Sequence, residues 1–224
     1  MNVKTIPRPV FLLLLWGSLS ISGMSGLQPR EETMENTALL IIDIQNFYFE
    51  GGGVPLVGSV EASLQAQKLL QAFRGRKLPV IHVRHLPKEI PLNGQGLVDS
   101  QYFIHKNVAP QSDEKVISKH FANSFRNTEL KNYLDLNGIR RLIVCGMQTH
   151  MCVEAAVRAA ADLGLEVAVA EDACATRNLK YKDIETDSEH VQAAVLATLK
   201  DTYAKILTTD EIVKSFIPDE SRIR

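Results

Sequence analysis

From Thr37 onward, short uninterrupted apolar runs alternate with longer amphipathic stretches. "ALLIIDI" (38–44) has no polar interruption before Asp43 and predicts a strand buried on both faces, whereas "SVEASLQAQKLLQAFRGR" (59–76) spaces its apolar residues as a helix does. "LPVIHVRH" (78–85) and "KVISK" (115–119) read as further strands, "TELKNYLDLNG" (128–138) as a helix and "RRLIVCG" (140–146) as a strand. A helix begins near Thr149, followed by the strand "EVAVAED" (166–172), a long helix within "DSEHVQAAVLATLKDTYA" (187–204) and the short strand "KILTT" (205–209). This alternation predicts an α/β fold, a three-layer αβα sandwich around a mostly parallel sheet of about six strands. The polar, Pro- and Gly-bearing connection from Leu86 to about Ser112 exceeds ordinary loop length and is a candidate for covering a substrate or contacting a subunit.

Ligands of such sheets bind beyond the carboxyl ends of the strands. Residues at those ends are Asp43, the group His82, Arg84 and His85, then Lys119, Cys152 and Asp172. Asp43, Lys119 and Cys152 form a chemically coherent set. Cys152 lies near the start of a helix, where unpaired N–H groups and the dipole favour a thiolate of lowered pKa. A nearby lysine would lower it further, and an aspartate could accept the thiol proton and return it to a leaving group. The helix-start N–H groups could also receive the oxygen of a tetrahedral intermediate. Each residue has a plainer reading as core, cap or solvated charge, and spacing alone does not bring the three together. Cys145, inside a strand, and Cys174 read as small core residues.

The first residues follow another pattern. Lys4 and Arg8 precede an apolar run from Val10 to about Ile21, then small residues at Ser20, Ser22, Gly23 and Ser25, the three-part form of a secretory signal. The run is shorter than the roughly 20 apolar residues of a membrane span. The expected organisation is therefore a signal peptide at 1–25, a linker at 26–36 and one domain at 37–224, exported and with no stable membrane association after cleavage. An uncleaved anchor, or a cytoplasmic protein starting at Met34, are the competing readings. The chain has 224 residues, is 45% hydrophobic and 23% charged, and carries a net charge of -1, so no basic patch recommends a nucleic-acid partner. Three cysteines cannot all pair within one chain.

"LLIIDIQNFYFEGGG", "VISKHFANSF" and "CGMQTHMCVEAAVRAAADLG" together resemble the three signature segments of the isochorismatase-like cysteine hydrolases. That superfamily includes nicotinamidases, N-carbamoylsarcosine amidohydrolases, ureidoacrylate hydrolases and isochorismatases. The resemblance runs from about Ala38 to Leu207 and implies a Rossmann-like sandwich. It also implies that Asp43 is general base and acid, Lys119 the stabilising lysine and Cys152 the nucleophile. A non-proline cis peptide joining Met147 to Gln148 is implied as well, its N–H forming an oxyanion hole with that of Cys152. Gln45, Phe47 and Tyr48 fall where the family lines its substrate pocket, and Arg84 or His85 could contact a polar or anionic substrate group.

The resemblance implies a small amide or ureido substrate, no cofactor and a homo-oligomer, dimer or larger. Nicotinamidases hold a metal with an Asp-x-His pair and a further His, and "VIHVRHLPKEIPLNG" lacks that pair. His82 and His85 point to opposite faces of a strand, so no catalytic metal is expected. Alternatives are an isochorismatase-type vinyl ether hydrolase and a non-catalytic binding protein on the same scaffold.

Overall fold

The computed structural model describes residues 36–89 and 98–216. The segment read as an export signal and all of the linker but Asn36 lie outside the described residues, as do residues 90–97 of the long connection.

β1 (Thr37–Ile42) is buried at every position, and its neighbours complete a wholly parallel sheet. β2 (Val80–His85), β3 (Lys115–Lys119), β4 (Arg141–Met147), β5 (Glu166–Ala175) and β8 (Lys205–Leu207) join it in the order β3-β2-β1-β4-β5-β8. Alternate β1 side chains feed two cores, as the period of two requires. Leu39 and Ile41 pack with Leu69, Leu70 and Phe73 of α1 (Ser59–Gly75) and Ile212 of α5 (Thr209–Phe216). Leu40 and Ile42 pack with α2 (Leu130–Leu136), α3 (Glu154–Asp162) and α4 (Ser188–Thr202) through Leu134, Val157 and Leu199. Helices therefore cover both faces, giving the three-layer sandwich read from the sequence.

Several elements differ from that reading. β5 runs to Ala175 because the β4–β5 register shifts between Val144 and Gly146, which lets the strand continue past its acidic pair. An antiparallel hairpin, β6 (Leu179–Tyr181) and β7 (Ile184–Thr186), was not expected from so short an apolar content. Thr209, read as strand, instead opens α5, with its N–H and hydroxyl both donating to Asp172 Oδ1 at 2.8 Å. Asp172 is thus a cap rather than a site residue. The described part of the long connection folds back onto the chain after β1: His105 N–H donates to Ile44 O at 2.8 Å and Asn46 N–H to Phe103 O at 3.0 Å.

Candidate active site

The strand order places a switch point between β1 and β4, from which the chain continues in opposite directions along the sheet. A crevice forms at such a point beyond the carboxyl ends. Asp43 follows β1 directly, in the left-handed region at φ 52, which Asp tolerates better than bulkier residues. Across the crevice, β4 can approach only because residue 146 is glycine. Its φ is +140, and a Cβ there would lie 2.0 Å from Ile42 O. The peptide bond from Met147 to Gln148 is cis, and the chain then makes a π-helical turn, Thr149–Val153, before α3. π-turns inside helices are frequent at functional sites; this one carries Cys152.

Lys119, at the end of β3, reaches past β2 to the same place. Its Nζ lies 2.7 Å from Asp43 Oδ2, and both side chains are fully buried. The ammonium also donates to Phe121 O at 3.2 Å and Ala122 O at 3.1 Å. Three oxygens thus surround the ammonium, the kind of pairing under which a buried charge is tolerable. The Cys152 thiol lies against both charged groups. The structure therefore brings Asp43, Lys119 and Cys152 together, which spacing alone could not show.

Their electrostatics correct one expectation. Burial, and then the Asp43 carboxylate, push the Cys152 thiol up to about 12 despite the opposing pull of Lys119. The helix-start effect does not dominate here, because desolvation and a like charge outweigh it. Burial also raises Asp43 above the ordinary carboxylate range, with Lys119 partly opposing. Burial works against the Lys119 charge, but Asp43 and Cys152 outweigh it and hold the ammonium above its usual value. The resting state is thus a protonated thiol beside an ion pair whose carboxylate has been made more basic.

Among the pocket candidates, Gln45 is a bracket. Its Oε1 accepts from His85 N–H at 2.7 Å while Nε2 donates to His85 O at 3.0 Å and Tyr102 O at 2.8 Å, so both its amide hydrogens are spent on main chain. Phe47 stacks on Tyr102 at 5.9 Å and meets Tyr48 edge-on at 5.3 Å. A Cβ at Gly53 would intrude to 2.3 Å from its ring. Tyr48 is buried, pairs with the Gln148 side chain and feels both Asp43 and Cys152; burial and those two groups raise its phenol pKa. His85 lies close to Asp43 and Cys152.

Arg84 does not join them. It alternates to the other face of the sheet and donates to Ser118 Oγ at 2.9 Å. His82 shares that face, 2.9 Å from Glu114 Oε2, which also takes Arg74 Nη2 at 2.8 Å. The two histidines are therefore separated by the sheet.

Arg177 was missed. It follows the extension of β5, is exposed, and donates from Nε to Gln148 Oε1 at 3.1 Å. Its charge is felt by Tyr48 and by His150, which bonds Thr176 Oγ1 at 2.5 Å. Ending the strand at Asp172 hid it; placing "ACATR" at a strand's carboxyl end would have exposed it.

A parallel sandwich with a cysteine, a carboxylate and a lysine converging at its switch point defines a class of cysteine-containing α/β hydrolase scaffolds. The chain belongs to the isochorismatase family: the family model for the isochorismatase domain matches residues 37–211. The isochorismatase family protein YddQ of Bacillus subtilis is 42% identical over 183 residues, covering 80% of this chain and 99% of that one. The secreted isochorismatase effector Isc1 of Verticillium dahliae is 30% identical over 195 residues, covering 86% and 98%. A crystal structure assigned to the isochorismatase hydrolases, from Oleispira antarctica, superposes with a TM-score of 0.74 at 46% identity, covering 81% of this chain and 98% of that one. More distant relatives are hydrolases of C–N bonds. Nicotinamidase 3 of Arabidopsis thaliana is 24% identical, covering 84% and 92%, and the ureidoacrylate amidohydrolase RutB of Azorhizobium caulinodans is 23% identical, covering 84% and 94%.

Proposed function

We propose that the protein hydrolyses the C–N bond of a small amide or ureido compound through a thioester on Cys152. The observation that carries this reading is the fully buried Asp43–Lys119 pair with the Cys152 thiol against it. Cys152 Sγ attacks the carbonyl carbon as its proton passes to Asp43, whose raised basicity suits that transfer. The tetrahedral oxyanion is received by the N–H groups of Gln148 and Cys152. Its collapse breaks the C–N bond, and the departing amine takes the proton from Asp43. Water then attacks the thioester, giving a proton to Asp43, and the C–S bond breaks as Cys152 recovers that proton. Lys119 stays charged throughout and stabilises each anionic form of the pair.

Ammonia release from a panel of small amides tests the reading, with Cys152→Ala measured alongside. Release that vanishes in the variant supports it; a fully active variant overturns it. The vinyl ether alternative is separated by incubation with isochorismate, following pyruvate. Export is the reading we favour for residues 1–25, supported by the leader pattern and by the similarity to a secreted relative. We also read the protein as a homo-oligomer.

A further inference from the structure

Three donors of different chemistry converge where β1, β2 and β4 end. A carboxylate oxygen of Asp43, a ring nitrogen of His85 and Cys152 Sγ all lie within 4.8 Å of one another. Ordinary pairing accounts for them only in part, through the contacts of the Cys152 thiol with Asp43 and Lys119. Asp43 Oδ2 belongs to Lys119, but Oδ1 is buried and receives no N–H or O–H donor. His85 Nδ1 is likewise buried and without a partner. Buried polar atoms in folded proteins are almost always satisfied, so two orphans beside a thiol mark a place suited to an electropositive guest. The His85 main chain is pinned on both sides by Gln45, so the imidazole is presented from a fixed backbone.

We propose that Asp43, His85 and Cys152 form a binding site for a borderline-soft divalent cation of the zinc class, and that its occupancy ties up the thiol. One sulfur, one imidazole nitrogen and one carboxylate oxygen make a set that zinc or cobalt accepts and that magnesium and calcium, which want oxygen, do not. Three protein ligands leave a fourth tetrahedral position for water. Metal–ligand bonds of about 2.0–2.3 Å require donors roughly 3.3–3.7 Å apart, so the side chains close by about 1 Å on binding. The Cys152 S–H bond breaks, its proton leaves to solvent, and a sulfur–metal bond forms with no change of oxidation state. Lys119 keeps Oδ2, and the metal takes the orphaned Oδ1.

The ligand set differs from the Asp-x-His pair and further His of nicotinamidases, which this chain lacks, and its effect is blocking rather than catalytic. Metal binding stands on the geometry alone; the consequence for turnover rests on Cys152 being the nucleophile.

The test is titration of the full chain with cobalt(II), read by the near-ultraviolet sulfur-to-cobalt charge-transfer band. The expected result is a band saturating at one equivalent, absent in Cys152→Ala and requiring at least tenfold more cobalt in His85→Gln. In the unmutated chain, zinc but not magnesium should slow iodoacetamide labelling of Cys152, read by peptide mass, and EDTA should restore it. No band, a band that persists in Cys152→Ala, or equal cobalt affinity in His85→Gln overturns the proposal. None of these readouts uses a substrate, so failure of the amide panel leaves them decisive, and the zinc protection needs no variant to fold.

Discussion

Replacing Asp43 by Asn should make the Cys152 thiol markedly more acidic while abolishing turnover, two effects that a simple loss of a base would not combine. The Cys152 thiol is held at about 12 by burial and then by the neighbouring carboxylate charge. The carboxylate oxygen and the sulfur are no more than 4.8 Å apart. Two unit charges at that separation repel by roughly 3.5 kcal/mol at an effective dielectric of about 20. Removing one of them is therefore worth about 2.5 pKa units. Lys119 reinforces the change. It has lost its counter-ion, and an unpaired buried ammonium is expensive, so a Cys152 thiolate becomes the partner that keeps it charged. At a given pH the thiolate population should rise about 300-fold. The gain in alkylation rate is smaller, roughly 20-fold, because nucleophilicity falls with pKa. The assay is thiolate ultraviolet absorbance against pH, with the Asp43→Asn, Cys152→Ala double variant subtracted to remove Cys145 and Cys174. A thiol titrating at or above its unmutated position would refute the reasoning, since Lys119 would then have shed its proton instead.

Three further outcomes follow from the same structure. Glu114, which burial would raise but which Arg74, the Gln111 N–H and His82 together draw down to about 2, should cost about 1–2 kcal/mol at neutral pH when changed to Gln, solvent screening taking part of the full linkage value. Because its folded pKa is depressed, the difference between the two proteins' denaturant midpoints should be full above the ordinary carboxylate range and shrink as pH falls toward 2. Lys119→Met leaves a buried carboxylate unpaired, a loss of about 3–5 kcal/mol at neutral pH. Since Asp43 is then raised further, that loss should recover on acidification as the carboxyl protonates, which urea unfolding at two pH values would show. Gly146→Ala drives a Cβ to 2.0 Å from Ile42 O and should prevent soluble folding or cost more than about 3 kcal/mol; a variant with near-normal thermal stability would contradict the close approach of β1 and β4.

The strands were legible because a parallel sheet covered on both faces writes itself as continuous apolar runs, and β1 is buried at all six positions. Asp43, Lys119 and Cys152 were legible as strand-end residues and as family signatures, but their convergence was not, since Lys119 must cross β2 to meet Asp43. What escaped depended on geometry that leaves no local pattern. The register shift that carries β5 to Ala175 hid Arg177, and the role of Gln45 emerges only when residue 102 returns to lie beside residue 85. The direction of the Cys152 shift was misjudged for a related reason. A helix start favours a thiolate, but burial and a neighbouring carboxylate are properties of the assembled site.

The raised pKa of the Cys152 thiol also removes a difficulty. A free reactive thiol sits uneasily with export to an oxidising compartment, because oxidation acts on exposed thiolates. Cys152 is 5% exposed and protonated at rest, so it offers little to an oxidant. In the mechanism proposed above, reactivity instead waits on the substrate, whose carbonyl draws the sulfur forward as Asp43 takes the proton. Lys119 makes this possible at modest cost, since the ion pair it holds is already neutral overall and the proton moves only within the site. A nucleophile activated on demand, rather than stored as an anion, is compatible with either side of a membrane, and the free thiol therefore gives no reason to discount the proposal that residues 1–25 are an export signal.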